Sequence, residues 1–96
     1  MKNTKYYVSM IDRFMSGWGP ARDRKNLLLF VCDTKEEAET VEINARKRND
    51  MTRINNLGTF KPLYFKENET DYENGEYFIQ IKTIRDYPNW YKRNAF

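Results

Sequence analysis

Cys32, Asp33, Glu36 and Glu37 form the densest group of side chains able to do covalent or acid–base chemistry in this chain. A thiolate could attack an electrophile, and paired carboxylates could pass a proton. Both need a partner group, and the chain contains no histidine. That removes the usual general base and the commonest metal ligand. Cys32 is the only cysteine, so neither a cysteine zinc site nor an intrachain disulfide can form. No metal and no cofactor is expected. The acidic residues have a simpler reading. Thr34 with Glu37, and Asp33 with Glu36, have the spacing of a helix capping box, which places carboxylates where the helix dipole favours them. Cys32 reads as a strand residue packed in the interior. The chain is expected not to be an enzyme, because nothing in the sequence assembles an acid–base pair.

The stretch Gly17-Trp18-Gly19-Pro20 lacks the G-x-x-x-x-G-K-[ST] pattern of a phosphate loop, and Trp18 would obstruct one. It leads into Ala21-Arg22-Asp23-Arg24-Lys25. Tryptophan and arginine are the favoured anchors of protein interfaces. Trp18, Arg22, Arg24 and Lys25 are therefore the candidate partner-binding loop. Phe14 and Met15 are expected to finish the preceding strand and anchor it in the core. Trp18 is expected to fold at least partly inward, leaving the charged half of the loop as the stronger contact. A second pattern sets basic residues beside aromatics, as a single-stranded nucleic-acid binder would. Its candidates are Arg13, the cluster Arg46, Lys47 and Arg48, and the pair Lys92 and Arg93 beside Trp90 and Tyr91. Asp23 and Asp86 interrupt these clusters.

The elements that must carry these residues are legible. Lys5–Ile11 is rich in β-formers, with Tyr6, Val8 and Met10 on one face and Tyr7, Ser9 and Ile11 on the other. Asn26–Cys32 is continuously apolar, which predicts a strand covered on both faces at the centre of the sheet. A helix is predicted from Lys35 to about Asn49, with Ala38, Val41 and Ala45 as its apolar stripe. Ile43 falls off that stripe and is expected to be exposed, which makes it a second candidate contact. Thr52–Leu57 predicts a third strand, ended by Gly58. Pro62–Phe65 predicts a further short strand or extended segment. The polar run 66–75 predicts a hairpin loop turning at Asn74-Gly75. Glu76–Ile84 predicts the last strand, with Tyr77, Ile79 and Ile81 on its core face. Pro88 ends any ladder, and Asn89–Lys92 predicts one helical turn packing Trp90 or Tyr91 on the body.

These elements predict an α+β fold: a small, largely antiparallel sheet of four or five strands, in the chain order ββαββ(β), with one helix on one face. Ninety-six residues suit a single domain over 1–96, and aromatics at 16% can supply much of its core. The net charge of +3 is too modest and mixed for a dedicated duplex-DNA binder. No segment resembles a signal peptide, and no apolar run approaches a membrane span.

As a set, KYYV, FMSGWG, CDTKEEAE, NARKR, the IN strand, the KP pair and DYPNWY resemble a family of small proteins encoded by bacterial viruses and prophages. The resemblance covers most of the chain. It implies an accessory viral protein in the cytoplasm of a bacterial host, and it supplies no catalytic residues. Together with the contact loop, it predicts a non-enzymatic protein that binds and inhibits a host defence protein, with a CRISPR–Cas effector as one candidate. The alternative is a single-strand nucleic-acid binder. A monomer or a homodimer paired through a strand edge fits either reading.

Overall fold

The computed structural model describes residues 4–14, 16, 17, 22–66, 69 and 71–94. Five strands and one helix follow in the order β1 Tyr6–Asp12, β2 Lys25–Cys32, α1 Lys35–Arg46, β3 Met51–Gly58, β4 Asp71–Asn74 and β5 Tyr77–Lys82, with a 3-10 turn at Pro88–Tyr91. The fold is α+β, as predicted. The strands lie in the spatial order β3-β1-β2-β5-β4. Three of the four pairings are antiparallel; β2 and β5 run parallel.

β2 is the central strand, and its apolar run is explained by cover on both faces. On the first face, Val8, Met10, Leu28, Phe30 and Cys32 meet Ala38, Val41 and Ala45 of α1, with Trp90 and Tyr91 of the 3-10 turn. The helical residues at the contact are small, so the helix lies close to the sheet. Phe30 is fully buried, with its ring centroid 4.9 Å from that of Trp90 and 6.1 Å from that of Tyr91. On the second face, Tyr7, Leu27, Leu29, Ile79 and Ile81 form another cluster. Its cover comes from residues 59–66 of the β3–β4 connection. β3 and β4 lie at opposite edges, so this connection must cross the sheet. It buries Pro62 and packs Tyr64 and Phe65 against the cluster, with the Phe65 ring 5.6 Å from Tyr7. The Tyr72 hydroxyl donates to the Tyr64 carbonyl and ties the crossing to β4.

Several boundaries differ from the sequence reading. Pro62–Phe65 forms a turn within the crossing, closed by the Phe65 N–H on the Pro62 carbonyl at 3.1 Å, and is not a strand. The run read as a hairpin loop contains β4, whose alternating Asp71, Tyr72, Glu73 and Asn74 expose all but the tyrosine. Asn74-Gly75 does make the turn, with Gly75 at φ 61°. β5 stops at Lys82 because Asp86 captures both the backbone N–H and the hydroxyl of Thr83, each at 3.1 Å. α1 stops at Arg46, three residues before the predicted end, where Arg48 turns away to pair with Asp50. Phe14 lies in a turn and is 54% exposed, rather than anchoring the core. Met15 and Trp18 lie outside the described residues, so the expectation that Trp18 folds inward does too.

Candidate functional site

The β1–β2 connection is held at its base by its own backbone. The Ser16 hydroxyl donates to the Asp12 carbonyl at 2.8 Å and accepts from the Asn26 N–H at 3.0 Å. The Gly17 N–H donates to the Arg24 carbonyl at 3.0 Å, with Gly17 at φ 83°, a conformation that favours glycine. On the far side, the Lys25 N–H donates to the Glu76 carbonyl at 2.8 Å, and Arg24 forms an ion pair with Glu73 of β4 at 3.3 Å. Arg22 and Lys25 remain exposed beyond these clamps.

Tertiary structure brings the helix end to the same place. The C-terminal end of β1 and the N-terminal ends of β2, β3 and β5 share one end of the sheet. α1 begins after Cys32 at the opposite end and runs back, so 46–50 arrive beside the connection. The Arg13 N–H donates to the Asp50 carbonyl at 2.8 Å. Arg13, Arg22, Arg24, Lys25, Arg46, Lys47 and Arg48 therefore share this end. Three of them are neutralised: Arg24 by Glu73, Arg46 by Glu42 at 2.9 Å and Arg48 by Asp50 at 2.9 Å. Arg48 also lies over the Trp90 ring, 5.1 Å from its centroid. Its bond to Asp50 raises the Arg48 pKa and holds the Asp50 carboxyl below its usual range. Arg13, Arg22, Lys25 and Lys47 form no ion pair among the described residues. Arg13 instead lies 5.4 Å from the centroid of the exposed Phe14 ring.

Ile43 and Arg93 fall elsewhere. Ile43 is 51% exposed on the outer face of α1, as predicted. It lines a groove of about 390 Å³ with Glu36, Glu39, Glu42, Arg46 and Arg93. Arg93 thus faces an acidic helix surface rather than joining a basic cluster, and Lys92 is exposed next to it on the tail.

The group that opened the sequence reading resolves into structure. The Thr34 hydroxyl accepts from the Glu37 N–H at 3.1 Å, and Glu37 reaches back to the Asp33 N–H at 2.8 Å. Asp33 forms an ion pair with Lys5, and its hydrogen bond raises the Lys5 pKa. Cys32 is fully buried, and desolvation pushes its thiol up to about 12. The Tyr91 phenol, raised mainly by desolvation, donates to the Val31 carbonyl at 3.2 Å.

Two residues of consequence escaped the sequence reading. Asn44 is fully buried on the helix stripe and binds the C-terminal tail through its side-chain amide. A polar residue three positions after Val41, beside Ala45, was the available signal. Arg53 lies in the left-handed region, at φ 52°, within β3. No local motif marks it, because the conformation comes from strand register. Comparison of the chain with protein-family models, curated proteins and solved structures finds no match. No described helix is long and apolar enough to cross a membrane.

Proposed function

We propose that this chain is a non-enzymatic binding protein of a bacterial virus that inhibits a host defence protein by direct contact, with a CRISPR–Cas effector as the candidate target. The observation that carries the reading is the clamped β1–β2 connection. The bonds of Ser16 and Gly17 and the Arg24–Glu73 pair fix the two described ends of the connection, and restraint of those ends lowers the entropy lost when Arg22 and Lys25 bind. Its exposed face offers Arg22 and Lys25, with Phe14 and Arg13 beside them, to an acidic protein surface. Trp18 belongs to the same connection and is a further anchor in this reading. Burial of Cys32 as a neutral thiol also favours contact over covalent chemistry.

The test is capture from a prophage-carrying bacterial host, followed by mass spectrometry, with the parent chain and with Arg22→Glu/Lys25→Glu. The parent should retain a defence protein. The double variant should lose it by at least tenfold with an unchanged unfolding midpoint. Equal capture by both chains would sink the loop assignment.

The four cations without ion-pair partners among the described residues also support a second reading, a single-stranded nucleic-acid binder. Four phosphate contacts would give log K against log salt a slope of about −3. Absence of any band shift with DNA or RNA at low salt rejects that alternative.

A further inference from the structure

We propose that the second face of the sheet carries a binding site for a small aromatic anion, with Arg53 holding the anionic group. Tyr64 and Phe65 of the crossing pack on that face. On it lies a depression of about 170 Å³, lined by Ser9, Ile11, Leu27, Arg53, Asn55 and Tyr77. These residues come from β3, β1, β2 and β5, four strands adjacent in the sheet. Tyr64 of the crossing packs against the same cluster as Ile11 and Leu27 of this lining.

The register of β3 against β1 accounts for Arg53. Ser9 pairs with Asn55 and Ile11 with Thr52, so Arg53 and Ile54 together face the single residue Met10. Ile54 packs into the helix-side core. Arg53 adopts φ 52° and lines the depression on the other face. That backbone region is strained for a residue with a Cβ, and glycine would avoid the strain. An arginine at a position suited to glycine calls for a compensating role. Arg24, Arg46 and Arg48 each hold a carboxylate, whereas Arg53 has no ion pair among the described residues.

The lining selects the ligand class. A guanidinium binds carboxylate or phosphate through a planar fork of donors. The Asn55 amide stands next to it. Ile11 and Leu27 offer an apolar floor, and Tyr77 an aromatic wall on which a ring can stack. The volume is below that of ordinary drug-sized sites and suits a single ring with one anionic group.

Isotope-labelled protein titrated with benzoate, phenyl phosphate and inorganic phosphate, followed by amide NMR, tests the site. Benzoate or phenyl phosphate should shift the amides of Ser9, Leu27, Arg53, Asn55 and Tyr77, and the pair shows whether a carboxylate or a phosphate head is preferred. Inorganic phosphate should bind at least tenfold more weakly than the preferred ligand. Arg53→Gly keeps the backbone conformation and removes the guanidinium, so it should fold and lose binding at least tenfold. Asn55→Asp, an exposed change that adds a like charge, should do the same and decides the matter if Arg53→Gly fails to fold. Absence of shifts at these amides with millimolar benzoate and phenyl phosphate overturns the proposal. So does equal binding of inorganic phosphate, or undiminished binding by the folded variant.

Discussion

The Asn44 side-chain amide donates to the Trp90 carbonyl at 2.9 Å, across 46 residues of sequence. The same nitrogen donates to the Lys92 carbonyl at 2.8 Å. One buried side chain thereby satisfies two carbonyls of an irregular tail and fixes it along α1. Asn44→Ala would strand both acceptors and should cost about 2–3 kcal/mol. Urea unfolding measures the loss, and amide exchange over 89–93 should accelerate before the sheet opens. Unchanged exchange there would mean that ring packing alone holds the tail.

The Arg48–Asp50 pair predicts a pH dependence. The Asp50 carboxyl titrates below its ordinary value of 3.8 in the folded protein, chiefly through its hydrogen bond to Arg48. The unfolded chain therefore takes up its proton first as pH falls. The contribution of Asp50 to stability is present above 3.8 and is lost as pH drops through the folded pKa. Unfolding midpoints measured downward from pH 5 should show a shallower acid limb for Asp50→Asn than for the parent. Parallel limbs would contradict the assignment.

Cys32 makes an opposite prediction on the alkaline side. Its thiol is raised from 9.0 to about 12, so the unfolded chain loses its proton first as pH rises. The associated stability is present below 9 and is lost towards 12. At pH 8, a thiol reagent should modify Cys32 only as fast as the protein unfolds, and immediately in denaturant. Rapid modification of the native protein would place the thiol at a reactive surface instead.

Tyr72→Phe tests the crossing over the second face. Loss of the hydroxyl bond to the Tyr64 carbonyl should cost about 1 kcal/mol, because the partly buried acceptor can regain a water. Exchange of the amides over 63–66 should increase, with β1 and β2 protected as before.

The residues show why some of this was legible in the sequence and some was not. The capping box at Thr34 and Glu37, the apolar run of β2 and the Asn74-Gly75 turn each express a local rule within a few residues. Each appears in the fold. The exposure of Ile43 follows equally from helical periodicity. Phe14 was misplaced because an apolar residue at a strand end is indistinguishable from one in a turn until its neighbours are known. β4 was missed because an edge strand with one inward residue, Tyr72, carries too short an alternation to read.

Propensity, capping and periodicity act over a few residues, so the sequence alone carried the helix, four of the five strands and the class of fold. Tertiary structure alone decided that β5 joins β2 in parallel, which sends the 59–70 connection across the sheet. It also decided that α1 returns its basic end to the β1–β2 connection. There, Glu73, Glu42 and Asp50 neutralise three arginines and leave Arg13, Arg22, Lys25 and Lys47 without ion-pair partners among the described residues. These outcomes depend on contacts between distant segments. The same residue types could have met other partners in another strand order, so composition and spacing carry no record of the choice.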